Sequence, residues 1–175
     1  MADPVAELVA RLAALERRVS ELERLDLPRF GKSAALIYRS SSQSIPNRVW
    51  TYVAFNSVAF DTDGMTASGS DRLVINTPGF YVVGLSAQFA ANSTGTRGLN
   101  ILVNGSEIAM HLQNALTAAG YDKPFLTFAP AMQYDAGDVI RARVFQESGG
   151  ALNLIYSSTA PYRTALWAIL VYGTP

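Results

Sequence analysis

The closing stretch TALWAILVYG, residues 164–173, limits the fold of this chain more than any other segment. Its aromatic and β-branched content reads as a strand. A strand with one wet face alternates apolar with polar residues. Here Leu166, Ala168, Leu170 and Tyr172 fall on one face, and Trp167, Ile169 and Val171 on the other, so neither face is written for water. Residues 33–39 (SAALIYR) are likewise apolar on both faces. Each large apolar side chain left wet forgoes about 1.5–3 kcal/mol of burial. One face of such strands goes to the chain's own core, and the other needs a second cover.

The N-terminal region follows a different period. Val5, Leu8, Leu12, Leu15, Val19 and Leu22 are spaced 3, 4, 3, 4, 3, the a/d seam of a coiled coil. Asp3 is a helix N-cap and Pro4 a first helical residue. Arg11 and Arg18 at g face Glu16 and Glu23 at e of the next heptad, which suits parallel neighbouring chains. Val at a with Leu at d leans towards two strands and does not itself select three. About three heptads are short for independent stability, so the rest of the chain must help to hold an assembly together. The sequence LDLPRFG, with Pro28 and Gly31, ends the helix. We divide the chain into a helical trimerisation and anchoring segment (1–26), a linker (27–32) and a head (33–175).

The head reads as all-β. Strands are expected at 33–39, 48–60, 71–76, 79–91, 97–103, 106–112, 123–133, 138–147 and 162–172, with no helical period between them. Asn104-Gly105 between apolar runs is a two-residue hairpin turn. Residues 39–47 (RSSSQSIPN) and 61–71 (DTDGMTASGSD) read as exposed loops. Eight to ten short strands make a β-sandwich of jelly-roll type.

Five features in order carry a family resemblance: the aromatic-rich VWTYVAFNSVAFD, Pro78-Gly79 with Tyr81 in TPGFYVVGLSAQF, the Asn104-Gly105 hairpin in ILVNGSEIA, Gly137-Asp138 in AGDVIRARVF, and the closing LWAILVY. Over residues 33 to 173 the chain resembles the C1q/tumour necrosis factor superfamily. It departs where the family usually has Gly, here Ala168, and where Ser is common, here Trp167. Heptads replace the collagen stalk. The resemblance implies a jelly-roll head that forms a homotrimer. In such folds the terminal strand lies in the inner sheet, one face in the core and one against neighbouring subunits. By alignment of the chain ends, Leu166, Ala168, Leu170 and Tyr172, with Leu36 and Tyr38, are assigned to the trimer interface, and Trp167, Ile169 and Val171 to the core. A one-residue register slip would exchange the two sets.

Catalytic constellations are sparse. The one histidine, His111, is too few for a triad or a zinc site and reads as a strand residue. With no cysteine, disulfides and thiolate metal sites are excluded. Asp61, Asp63 and Asp71 superficially resemble a calcium loop, yet Gly64 comes too early and no bidentate Glu follows, so a solvated loop is expected. Asp122, Asp138 and Glu147 give no spacing that pairs two carboxylates for hydrolysis. Asn92-Ser-Thr and Asn104-Gly-Ser match the glycosylation sequon and are taken as coincidence. Tyr121, Tyr156 and Tyr162 sit in or near loops, where rings can dock a ligand or pack locally. No cofactor and no metal are expected.

Fourteen basic residues balance fourteen acidic ones, which argues against nucleic acid or an anionic membrane as partner. No apolar run approaches the roughly 18 residues that span a bilayer. The N-terminus lacks the pattern of a secretory signal. The resulting expectation is a non-enzymatic homotrimeric virion structural protein. It would be a bacteriophage capsid decoration or head fibre, made in the host cytoplasm and held on the virion surface, with its N-terminal segment on a capsid or tail protein. The alternative is the receptor- or carbohydrate-binding tip of a phage tail fibre, gripping a cell-surface glycan or protein, with a bacterial cell-surface binding module behind it.

Overall fold

The computed structural model describes residues 4–24, 33–66, 71–115, 125–157 and 163–173, and in the first of these the side chains of 5 and 7–20. The helix and the strands belong to two separate compact units. The proposed linker, residues 27–32, lies outside the described residues.

Helix α1 (Pro4–Arg24) begins at the proline, whose missing N–H removes nothing from a first turn. Its heptad side chains Val5, Leu8, Leu12, Leu15 and Val19 are 51–69% exposed in a single chain. The side chain of Leu22 is outside the described residues. Arg11 donates to Glu7 at 3.0 Å, one turn away, rather than waiting for Glu16 of a neighbour. Both groups are well exposed, so that pair contributes little.

The head contains β1 (Ala34–Tyr38), β2 (Gln43–Ile45), β3 (Thr51–Tyr52), β4 (Ser57–Asp61), β5 (Leu73–Val74), β6 (Gly79–Ala87), β7 (Thr96–Val103), β8 (Ser106–Asn114), β9 (Phe125–Tyr134), β10 (Val139–Gln146), β11 (Leu152–Leu154) and β12 (Ala165–Gly173). One sheet has the order β4-β1-β12-β6-β9; a second has β3-β10-β7-β8, with β5 also on β10; β11 and β2 form a third, small one. The pairings within the first two sheets are antiparallel. The core lies between them. Ala35 and Ile37 of β1, Tyr81, Val83 and Leu85 of β6, and Leu166, Ala168 and Leu170 of β12 meet Leu99 and Ile101 of β7 and Ile140, Ala142 and Val144 of β10.

Two expected features fall differently. Residues 48–60 are not one strand: β3 pairs with β10 in the second sheet and β4 with β1 in the first. The chain changes sheet between them, and Val53 and Phe55 enter the core at the crossing. The 39–47 loop contains β2, whose partner β11 was not expected either. Three-residue strands are too short to display a period-2 pattern.

The hairpin turn is as expected. Asn104 (φ 50°) and Gly105 (φ 85°) both have positive φ, as a type I′ turn requires. Asn104 also links two sequence motifs. Its Nδ2 donates to Asp138 Oδ1 at 2.7 Å, and its Oδ1 accepts from the Val139 N–H at 2.9 Å. Asp138 Oδ2 in turn accepts from the Asp135 N–H at 2.8 Å. The NG hairpin and the GD turn are therefore one clasp at the end of the second sheet. Replacing Asn104 with Ala removes the clasp and puts a residue that tolerates the left-handed region less well than Asn at φ 50°. Urea unfolding is expected to show a loss of about 2 kcal/mol, with Asn104→Gly recovering the conformational part only.

Tyr134 is 2% exposed, and its hydroxyl has no hydrogen-bond partner among the described residues. Burial, then the charge of Asp138, pushes the phenol up to about 12. An unfolded tyrosine ionises near 10. Between these values the folded state holds the proton and the unfolded state releases it, so stability falls as pH rises from about 10 to about 12. Tyr134→Phe is expected to flatten that alkaline limb without loss of stability at pH 7, as read by thermal unfolding against pH.

Candidate functional site

The outward face of the first sheet carries many of the exposed large apolar side chains of the head. It is built by strand alternation. With Ala35 and Ile37 inward, Leu36 and Tyr38 of β1 point out. Leu36 lies in register with Trp167, and Tyr38 with Ala165. Leu166, Ala168 and Leu170 pair with Leu85, Val83 and Tyr81, all core residues, so their own side chains go inward. The assignment of these three to the outward face is therefore corrected. Trp167 and Ile169, expected in the core, occupy that face instead.

Tyr172 is nevertheless outward, as expected, being 45% exposed. The reason is a register shift: Leu170 pairs with Tyr81 but Tyr172 with Phe80, leaving Val171 as an extra residue. A bulge of this kind changes which face the following side chain takes. The sequence reading assumed unbroken alternation from 166 to 172 and so placed four residues on one face. Phe80 and Tyr172 stand edge to face, ring centroids 6.4 Å apart.

Trp167 lies on the sheet because β6 offers a glycine beneath it. Any Cβ at Gly84 would overlap the indole ring. On its far side the ring meets Phe128 of β9 edge to face at 5.7 Å. Phe60, Leu126, Phe128 and Ile169 are each more than a third exposed. None of these was singled out as an interface residue from sequence. The signal was available: FLTF in β9 is apolar on both faces, the test already applied to the last strand.

A concavity of about 490 Å³ runs across this face. It opens where side chains are small, at Ala59, Ser86 and Ala165, and is walled by Leu36, Phe60, Leu126, Trp167 and Ile169. Arg163 is the one charged residue lining it among the described residues. Its guanidinium sits 4.4 Å over the Tyr38 ring. Ser86 Oγ donates to the Arg163 carbonyl at 2.6 Å, tying the chain entering β12 to β6.

The other candidates do not converge on this face. Tyr156 is exposed, while Tyr121 and Tyr162 lie outside the described residues. His111 Nδ1–H donates to the Leu126 carbonyl at 2.8 Å, and its ring stands edge-on to Phe125. Asp61 accepts from the N–H groups of Met65 and Thr66 at 3.0 and 2.8 Å, and Asp63 from Ser33 Oγ at 2.8 Å. Asp71 pairs with Arg72 and Arg141. Those carboxylates are occupied in holding the head together. Glu147 pairs with Arg48 and Asp138 with Asn104, and Asp122 is outside the described residues.

Gly84→Ala is expected to lift the indole off the sheet. Trp167 is one of two tryptophans, so the shift reads out as altered fluorescence, with a loss of roughly 1–3 kcal/mol in urea unfolding.

No protein-family model matches the sequence. No curated protein matches it either. Solved structures share the architecture. The tumour necrosis factor Eiger of S. frugiperda superposes with a TM-score of 0.59 at 15% identity, over 83% of this chain and 96% of that one. Murine APRIL gives 0.55 at 15% identity, over 79% and 98%. The globular domain of zebrafish complement 1qA protein gives 0.52 at 12% identity, over 82% and 100%. The head thus has the jelly-roll fold of the C1q/tumour necrosis factor type.

Proposed function

We propose that the chain is a non-enzymatic homotrimeric structural protein that displays its head on a bacteriophage virion, as a capsid decoration or head fibre. The observation that carries the trimer is the outward face of the β4-β1-β12-β6-β9 sheet. It presents Phe60, Leu126, Phe128, Ile169, Phe80 and Tyr172, each more than a third exposed, and extended exposed apolar patches mark interaction sites. A concavity left unfilled within an assembly would be costly, so neighbouring copies insert side chains into it. The exposed heptads of α1 supply a second, independent association surface. Both surfaces are satisfied by rotational association of identical chains, and cyclic closure leaves no open end.

The virion setting rests on this combination of a self-associating helix and a display head, read by analogy of fold. In that setting the N-terminal segment contacts a capsid or tail protein, and the heads project as rigid knobs.

Phe128→Glu combined with Ile169→Glu is expected to yield folded heads that no longer associate through the sheet. Size-exclusion chromatography with light scattering on the full chain should then show assemblies far more sensitive to dilution than the parent. Leu12→Asp with Leu15→Asp should weaken association but leave it measurable. An unchanged stoichiometry and dilution profile in the sheet variant would place the contact elsewhere.

A further inference from the structure

The opposite side of the sandwich, the outward face of the β3-β10-β7-β8 sheet, holds the most unusual side chain of the described residues. Leu99 and Ile101 of β7 are in the core, so Asn100 points the other way. It is nonetheless 0% exposed, and neither its Oδ1 nor its Nδ2 has a hydrogen-bond partner among the described residues. Buried amides are normally paired, because an unpaired one retains the full penalty of leaving water. Leu at this position would fill the space without that penalty. The register places Asn100 between Arg143 of β10 and Met110 of β8. Met110, the cross-strand neighbour, is 55% exposed and unbranched, so its side chain can rearrange.

The surroundings define what could reach that amide. Trp50 rests against Gly98, where a Cβ would collide with it, and its ring lies 5.4 Å from Phe145. The Arg143 guanidinium sits 5.5 Å from the Trp50 ring and pairs with Glu107. The Arg141 guanidinium sits 4.0 Å over the half-exposed Tyr52 and pairs with Asp71. Burial pushes the Asp71 carboxyl up, but its bonds to and charges from Arg141 and Arg72 outweigh this and hold it below its ordinary value. Arg141 and Arg143 each hold a carboxylate of the same face, Asp71 being shared with Arg72. The Nε atoms of Arg141 and Arg143 are buried without acceptors among the described residues.

We propose that this face binds a neutral carbohydrate, with Asn100 as its buried hydrogen-bonding anchor. A charged ligand would have to compete with Asp71 or Glu107 for guanidinium groups that already hold a carboxylate. A purely apolar partner would seal the amide unpaired. A pyranose ring offers C–H groups to Trp50 and Tyr52, and hydroxyls that both donate and accept, which is what an orphan amide and two acceptor-seeking Nε–H groups need. This face lies across the sandwich from the proposed subunit interface, so each copy in an assembly would keep its site open, and weak single sites would gain avidity.

The test is titration of the full chain with glucose, galactose, mannose, N-acetylglucosamine and their short oligomers, read by tryptophan fluorescence and saturation-transfer NMR. Saturable binding of one of them is expected, weakened about tenfold or more by Asn100→Leu while thermal stability holds or rises. Trp50→Phe, which keeps the packing, should also weaken binding and covers the case in which the first variant fails to fold. No saturation by any of these saccharides up to about 10 mM, or unchanged affinity in the folded variants, would overturn the proposal. Neither readout depends on the number of associated chains.

Discussion

The head is governed by one constraint: the first sheet is apolar on both of its faces. Its inward side closes a core against the second sheet through Tyr81, Val83, Leu85, Leu166, Ala168 and Leu170. Its outward side carries equally large side chains, and no other strand of the head's described residues lies over it. Hydrophobic burial is non-directional and scales with area, so the two sides are driven by the same force. What differs is the source of the cover. The interior cover is intramolecular. The exterior one, on our account, comes from identical copies.

Local features of the strands adapt that outward face to its task. Gly84 provides the floor on which Trp167 lies, and Phe128 holds its edge. The extra residue Val171 moves Tyr172 out beside Phe80. A second register shift, between Tyr81 and Val83, lets Pro130 and Ala131 sit in the edge strand β9, where a missing N–H is tolerated. Small residues across the middle create the concavity, and Arg163 over Tyr38 brings one charge to its rim. None of these groups is arranged for bond making. The ionisable groups of the head instead satisfy loops and strand ends, as Asp61, Asp63 and Asp138 do.

The architecture was legible because its signals are periodic. Seven-residue spacing specified α1, and positive-φ residues specified the hairpin at Asn104-Gly105. The two-faced character of the closing strand showed that an outward apolar surface exists. Its composition was not legible, because period 2 determines only relative facing, and one bulge inverts it. Leu166 and Tyr172 could not both be placed correctly without knowing about Val171. Leu36 and Tyr38 face outward because β1 is short and meets β12 in unbroken register. The crossing between β3 and β4 was hidden for a related reason: an apolar run gives no mark where it leaves one sheet for another. Asn100 carries no sequence signal, since an Asn within a strand becomes anomalous only once its neighbours are known.

Sedimentation equilibrium of the intact chain across a dilution series addresses the central claim most directly. The account predicts a dominant species of about three times the 18.9 kDa chain mass at micromolar concentration. A well-folded species of 18.9 kDa throughout that range would show that the outward face needs no second copy, and would contradict it.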